Sequence, residues 1–149
     1  QRDWVQNQTI VSRSDTPGDN YTYKFLLCKG TDSTTTLDGI TFLKGVTFWT
    51  DSDDVCWPNE DISYCTGGAI FVHSPHPDTL GCLRVLNCTF RGNAGRFGSA
   101  IGMNLTDGSG GIYVDNCRFE DGHAGGGGIF FFTGSHFFCF LQARCFFVR

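Results

Sequence analysis

The chain contains little of the material from which helices are built. It has a single methionine and no long run rich in alanine, leucine, glutamate and lysine, whereas glycine occurs 20 times and phenylalanine 15 times in 149 residues. Glycine weakens the interior of a helix and supplies tight turns. The composition therefore predicts one all-β domain with many turns.

Charged residues and long apolar runs are also scarce. Only 17% of the residues are charged and the net charge is −4, so we expect no nucleic-acid partner. No apolar stretch approaches the ~18 residues that a membrane-spanning helix needs, so we expect no membrane span. The polar start, Gln1 to Asp3, is unlike a signal peptide. We interpret the chain as a mature protein whose leader has been removed.

Cysteine, by contrast, is plentiful. None of the eight cysteines forms the C-x2-C pair that is typical of zinc sites, so disulfides in an oxidising compartment are favoured over a metal. Four N-x-[ST] sequons, at Asn7, Asn20, Asn87 and Asn104, agree with passage through a eukaryotic secretory pathway. The sequence predicts a secreted, extracellular or cell-surface protein with N-linked glycans, disulfides and no cofactor.

An internal repeat occupies the second half of the chain. Residues 83–103, LRVLNCTFRGNAGRFGSAIGM, match residues 112–131, IYVDNCRFEDGHAGGGGIFF. Three columns of identical residues recur every 28 to 31 positions: Cys88, Cys117 and Cys145; Phe90, Phe119 and Phe147; Ile70, Ile101 and Ile129. A period of this size marks a solenoid.

Short alternating strands are predicted within each repeat. Inward side chains are expected at Leu83, Val85, Cys88 and Phe90, and outward side chains at Arg84 and Thr89. The break in alternation at Asn87 indicates a turn. In the last repeat, Gln142 and Arg144 stand where Val114 and Asn116 are expected.

These patterns predict a right-handed parallel β-helix, a solenoid of about four to five coils, as a single domain over residues 1–149. Residues 1–36 are assigned to an amino-terminal cap or first coil, and residues 37–149 to the repeating coils. An earlier copy of the strand, residues 38–42, is separated from the later ones by one coil plus an inserted loop at residues 49–66. We expect a disulfide to close that loop.

Two motifs alternate along the repeats. GGAI is intact at residues 67–70, recurs as GSAI at 98–101 and is degenerate as GGGI at 126–129. FxxN is intact at residues 90–93, with degenerate copies at 42–45 and 119–122. In these motifs the chain resembles the polymorphic outer-membrane proteins and similar extracellular right-handed β-helices. The resemblance implies a β-helix and a place among surface and adhesive proteins.

Candidate catalytic and metal-binding groups are few. An acidic run in the inserted loop could bind Ca²⁺, but a solvated loop is favoured; its members are Asp51, Asp53, Asp54, Glu60 and Asp61. Asp115 and Glu120 are predicted to be solitary, which disfavours a polysaccharide-active enzyme of the pectate-lyase type. His73 and His76 are expected to face water and bind no metal.

Disulfides and glycans are assigned by position. Cys56 and Cys65 are expected to close the inserted loop. Two of Cys88, Cys117 and Cys145 are expected to be joined across adjacent coils, with the choice of pair left open.

Glycans are expected at Asn7, Asn20 and Asn104, in polar or turn regions. They are expected to spare Asn87, because that amide should be buried and hydrogen-bonded along the stack.

The carboxyl-terminal end lacks a polar cap. Aromatic residues crowd it and form the expected assembly surface: Phe137, Phe138, Phe140, Phe146 and Phe147. We expect head-to-tail self-association, or a further coil of a longer chain, to cover it. The hypothesis is a non-catalytic structural glycoprotein of a fibre, appendage or surface coat. The alternative is a surface adhesin or glycan-binding module, and a pectate-lyase-like enzyme is disfavoured.

Overall fold

The computed structural model describes residues 8–13, 24–47, 66–73, 80–105, 109–124, 128–133 and 139–148. Side chains are described for these ranges except at positions 80, 105, 109, 124, 130–133 and 139–148, where the description covers the backbone. Over these ranges the chain forms strands and turns and no helix, which confirms the predicted all-β class. Accordingly, none of them contains a helix that could span a membrane.

The strands are short, and every pairing among those described is parallel. Their bounds are β1 (Thr9–Ser12), β2 (Leu26–Lys29), β3 (Thr36–Asp38), β4 (Ile40–Leu43), β5 (Ile70–His73), β6 (Leu80–Leu86), β7 (Thr89–Arg91), β8 (Ala94–Gly95), β9 (Ile101–Leu105), β10 (Ser109–Glu120), β11 (His123–Ala124), β12 (Ile129–Thr133) and β13 (Cys139–Val148). Parallel pairing means that each strand bonds to a strand from another part of the chain.

Three sheets result. Sheet A has the order β1-β4-β7-β10-β6-β3, with β13 on the free side of β10. Sheet B joins β8 to β11 and is extended by a bridge between Val46 and Ala94. Sheet C has the order β12-β9-β5-β2. Successive copies of the sequence repeat therefore pair side by side: repeat 1 (residues 36–73), repeat 2 (residues 80–105), repeat 3 (residues 109–133) and repeat 4 (residues 139–148).

The predicted columns agree with the pairing register. Phe90 pairs with Phe42 and with Phe119, and Phe119 pairs with Phe147. Ile101 pairs with both Ile70 and Ile129. Cys117 pairs with Cys145, and the neighbouring pair of Arg118 with Thr89 aligns Cys117 with Cys88. The alignment read from the sequence is confirmed at each of these positions.

The predicted register of repeat 4 is wrong. Ala143 pairs with Val114, Gln142 with Tyr113 and Arg144 with Asp115, and the next pair is Cys117 with Cys145. Repeat 4 therefore has no residue opposite Asn116. This omission explains why Cys145 follows Cys117 by 28 residues whereas Cys117 follows Cys88 by 29.

Among the residues whose side chains are described, the core is one cluster of inward side chains from and next to the strands of sheets A and C. As predicted, Leu83, Val85, Cys88 and Phe90 are at most 1% exposed, while Arg84 is exposed and Thr89 is partly so. The rings of Phe42, Phe90 and Phe119 stack across three repeats. Their centroids are 5.1 Å apart between the first two rings and 4.9 Å apart between the last two. Equal side chains thus fill equal positions of the paired repeats.

Residues with positive φ mark the bends of the repeats. One bend column contains Gly39, Asn87 and Asn116, which confirms the predicted turn at Asn87. A second column, two residues after the Phe column, contains Lys44, Gly92 and Asp121, and the first glycines of two GGAI-type motifs, Gly67 and Gly98, form a third. The left-handed conformation is least costly for glycine, and asparagine and aspartate tolerate it better than most residues.

The corner between sheets B and C varies in length. In repeat 1 it runs from Val46 to Thr66, and in repeat 2 from Ala94 to Phe97. Both ends stay in register, because Val46 bridges Ala94 and Thr66 bridges Phe97. The predicted inserted loop at residues 49–66 falls at this corner, and residues 49–65, including Cys56, Cys65 and the acidic run, lie outside the described residues.

Candidate functional site

At the first bend of repeats 1 to 3, one side chain from each repeat joins a column of hydrogen bonds: Asp38, Asn87 and Asn116. Asn87 Nδ2 donates to Asp38 Oδ1, and Asn116 Nδ2 donates to Asn87 Oδ1, each at 2.7 Å. The predicted hydrogen bonding along the column is confirmed. The predicted burial of Asn87 is wrong, because the bend lies on the surface and both asparagines are exposed. The column ends at Asn116, since repeat 4 lacks the matching residue.

The sequons differ in accessibility. Asn7 and Asn20 lie outside the described residues, so their glycans stay predictions. Asn104 lies on β9, where it pairs with His73 of β5 on one side and Phe132 of β12 on the other. Its side chain is only 9% exposed. This burial opposes the glycan predicted there, since a sugar needs solvent around the amide. Asn87, expected to be spared, is exposed, but its amide nitrogen already donates to Asp38.

Asn93, the asparagine of the intact FxxN motif, joins repeats 1 and 2. It is 1% exposed, its Nδ2 donates to the Phe42 carbonyl at 3.1 Å, and its Oδ1 accepts from Gly45 N at 2.7 Å. A Cβ at Gly45 would lie 2.3 Å from Gly68 O and 3.0 Å from Asn93 Oδ1. Glycine in the degenerate motif therefore makes room for the amide of the next repeat.

Replacing Asn93 by alanine should lower the free energy of unfolding by about 3 kcal/mol, because it leaves two buried backbone groups without partners. Urea unfolding followed by circular dichroism would measure the change. The control is Asn116→Gly, which removes an exposed amide with one column bond and keeps the left-handed conformation that Gly39 adopts at the matching bend, and it should cost less than about 1 kcal/mol. Equal losses in the two variants would contradict this role for Asn93.

The four cysteines whose side chains are described form no disulfide with one another. Cys28 and Cys82 are partly buried, and Cys88 and Cys117 are buried. A hydrogen bond from Cys117 lowers the pKa of Cys88, and burial raises the pKa of Cys28. No disulfide joins Cys88 to Cys117 in this structure, although the two align in neighbouring repeats as predicted. For Cys145 the description covers the backbone alone.

Glu120 is a buried carboxylate between two guanidinium groups. It is 5% exposed, accepts from Arg91 Nε of repeat 2 and forms an ion pair with Arg118 Nε of its own strand. In the register, Glu120 pairs with Arg91 and Val148, and Asp115 pairs with Leu86 and Arg144. The prediction that both acids are solitary is confirmed. The carboxylate of Glu120 therefore joins repeat 3 to repeat 2 through Arg91.

The histidines provide little chemistry. His73 is only partly exposed, and its ring stacks on that of Phe71 with 5.9 Å between the two ring centroids. The prediction that His73 faces water is therefore wrong. Packing on the outer face of sheet C, where Phe71 is fully buried, explains the difference. His123 is exposed, and His76 lies outside the described residues. The described part of the chain brings together no three His, Cys, Asp or Glu residues that could hold a metal.

The amino-terminal edge exposes apolar side chains. Ile10 on β1 is 54% exposed and Leu27 on β2 is 51% exposed, and they are the exposed large hydrophobic residues among those whose side chains are described. β1 ends sheet A and β2 ends sheet C on the same side of the repeats. Sequence analysis missed both, because it placed the apolar end at the carboxyl terminus. Of that predicted surface, Phe140, Phe146 and Phe147 lie on β13, whose backbone alone is described, and Phe137 and Phe138 lie outside the described residues.

Comparison with known proteins gave no match to a family model, to a curated protein or to a solved structure.

Proposed function

We propose that the chain is a secreted, non-catalytic structural glycoprotein module, a right-handed parallel β-helix that assembles end to end into a fibre, appendage or surface coat. The observation that carries the proposal is that sheets A and C both end in strands paired on one side alone, among the described residues, at each end of the repeats. Unpaired strand edges recruit further strands.

The pairing register supports the β-helix. Strands of sheets A, B and C follow one another in the same order in repeats 2 and 3, and each pairs with its counterpart. Parallel strands of one sheet are joined by right-handed crossovers in nearly all proteins, which favours the right-handed form. The resemblance to GGAI repeats gains support from Gly67 and Gly98, which share a φ of 69° at the same bend.

The two ends are complementary. β1 and β2 present one edge of sheets A and C, and β13 and β12 present the opposite edges. In a parallel sheet each added strand repeats the hydrogen-bonding pattern of the last, so the edge at one end fits the edge at the other. A second copy of the chain would extend both sheets with their direction unchanged. Such a heterologous contact propagates into a filament unless its rotation closes a ring.

Apolar side chains at the amino-terminal end supply a reason to associate. Ile10 and Leu27 leave about half of their surfaces in water on two neighbouring edge strands. Covering apolar surface stabilises an interface by roughly 25 cal/mol per Å². The aromatic residues of β13 are the predicted counterpart on the other copy.

Replacing both Ile10 and Leu27 by lysine should abolish association, because charged edge residues oppose strand addition. Sedimentation velocity over a concentration series should show species larger than a monomer for the unmodified chain and a monomer for the variant. Thr89→Lys, a partly exposed position on β7, which pairs with β4 on one side and β10 on the other, is the control and should associate normally. An unmodified chain that stays monomeric at every concentration would overturn the proposal.

A second candidate, a glycan-binding or adhesive module, is favoured by one contact. On the outer face of sheet A, the guanidinium of Arg84 lies 5.4 Å from the ring centroid of Tyr113 in the next repeat. Aromatic rings beside polar planar groups suit sugar rings. A chain that binds a free glycan but stays monomeric at every concentration would favour the glycan-binding function over the structural one.

A further inference from the structure

Repeat 2 contains two sequons, and the structure places their asparagines in opposite surroundings. Asn104 lies on β9 between two paired strands and is only 9% exposed, whereas Asn87 lies at an exposed bend. A glycan is bulky and must stay in water. Of these two asparagines, Asn87 alone offers room for one in the folded chain.

The bend at Asn87 is held by its backbone. Asn87 N donates to the Asp115 carbonyl of repeat 3 at 3.1 Å. On the other side, the Leu86 carbonyl accepts from Gly39 N of repeat 1 at 2.9 Å. Because these bonds join backbone groups, a sugar on the Asn87 side chain would leave the hydrogen bonds that fix the bend intact.

The amide of Asn87 can carry a sugar and keep its place in the column. Its nitrogen has two hydrogens, and the bond to Asp38 Oδ1 uses one of them. Its oxygen accepts from Asn116 Nδ2, and an N-linked sugar is attached through the nitrogen. A sugar in place of the second hydrogen therefore removes neither column bond.

The third position of the sequon separates Asn87 from its neighbour in the column. Asn87 and Asn116 are both exposed, with φ of 53° and 50° at matching bends. Thr89 follows Asn87 by two positions, whereas Arg118 follows Asn116 by two. N-linked glycosylation requires Ser or Thr at that position. Asn116 is thus the same bend without a sequon.

We propose that Asn87 carries an N-linked glycan and that Asn104 carries none. The donor is an oligosaccharide bound to a lipid diphosphate. A bond forms between Asn87 Nδ2 and the anomeric carbon of the first sugar, while the bond from that carbon to the diphosphate oxygen breaks. The amide loses one proton, and the lipid diphosphate leaves with the electron pair of the broken bond. The glycan sites expected from the sequence are thereby reversed at these two residues, because Asn87 was expected to be buried.

The position of Asn87 suits end-to-end assembly. Asn87 lies directly before β7, which has β4 and β1 on one side of it in sheet A and β10 and β13 on the other. A glycan at this bend therefore stands two strands away from either edge. Both edges stay open to another copy of the chain.

The test uses the full chain, produced behind an added signal peptide in a eukaryotic cell that secretes it. Peptide-N-glycosidase F in heavy-oxygen water converts each occupied asparagine into labelled aspartate, which mass spectrometry of the peptides identifies. The label should appear at Asn87 and be absent from Asn104. Thr89→Ala should lose the mass of one glycan, whereas Thr106→Ala, which deletes the Asn104 sequon, should lose none. Label at Asn104, or an unlabelled Asn87 in the secreted chain, would overturn the inference.

A double variant, Thr89→Ala with Arg118→Thr, tests the bend itself, because it removes the sequon of Asn87 and creates one at Asn116. Threonine already occupies the matching positions of repeats 1 and 2, so the change at position 118 fits the column. The glycan should move to Asn116. A secreted double variant without a glycan at Asn116 would show that this bend excludes sugars and would contradict occupancy at Asn87.

The glycan depends on the proposed function only through secretion, which the added signal peptide supplies, so the two can fail separately. A chain with a glycan at Asn87 that stays monomeric at every concentration would refute end-to-end assembly and leave the site standing. A chain that associates while Asn87 stays bare would do the reverse.

Discussion

Phe90→Ala should lower the free energy of unfolding by about 3–5 kcal/mol, the range for truncating a fully buried phenylalanine. Phe90 is 1% exposed and is the middle ring of the column, in contact with Phe42 on one side and Phe119 on the other. Removing it leaves a cavity between the rings of Phe42 and Phe119. Neither neighbouring ring can fill it, since each is fixed by its own strand.

Urea unfolding would measure this loss, with Thr89→Ala as the matched control. Thr89 precedes Phe90 on β7, faces outward and is partly exposed, so its truncation should cost less than about 1 kcal/mol. Similar losses in the two variants would mean that the inward column does not hold the repeats together.

Gly67→Ala should destabilise the chain by about 2–5 kcal/mol. Gly67 has a φ of 69°, where a residue with a Cβ pays roughly 1–2 kcal/mol. The added Cβ would also lie 2.1 Å from Ile70 O and 2.6 Å from Gly102 N, and backbone atoms cannot rotate away as a side chain can. Overpacking of this kind adds roughly 1–3 kcal/mol.

Gly30→Ala separates the conformational cost of a positive φ from the cost of close packing around the added Cβ. Gly30 has a φ of 61°, but a Cβ there would meet no atom within 4 Å. The free energy of unfolding of this variant should fall by the conformational cost alone, about 1–2 kcal/mol. Thermal unfolding of both variants would show the difference, and a Gly30→Ala variant as unstable as Gly67→Ala would show that close packing at the first glycine of GGAI contributes nothing.

Columns of equal residues could be predicted from the sequence because a parallel register repeats at a fixed spacing. Phe90, Ile101 and Cys117 are each aligned with counterparts about one repeat away, and alternation placed their side chains inward. The same regularity located the bend at Asn87, where alternation breaks. Local pattern was sufficient for these features, since the strand period of two assigns each residue to a face.

Other features depend on contacts that local pattern does not encode. Asn93 accepts a hydrogen bond from Gly45, 48 residues earlier, and no spacing within either segment predicts this bond. Repeat 4 was aligned by counting residues, which fails where one position, opposite Asn116, is absent. Asn104 was placed in an exposed turn, whereas it lies on β9, on the covered outer face of sheet C. Tertiary packing determines each of these features, and neither composition nor local pattern encodes it.

The corner between sheets B and C has a consequence for how such a chain can change. Val46 and Thr66 are 20 positions apart, their partners Ala94 and Phe97 are three apart, and the pairing on both sides is unaffected. Strand positions are fixed by their neighbours, whereas this corner can lengthen freely. Related chains should therefore differ in length here first, and in the end-to-end assembly that we propose, foreign peptides inserted between Val46 and Thr66 would recur at regular intervals.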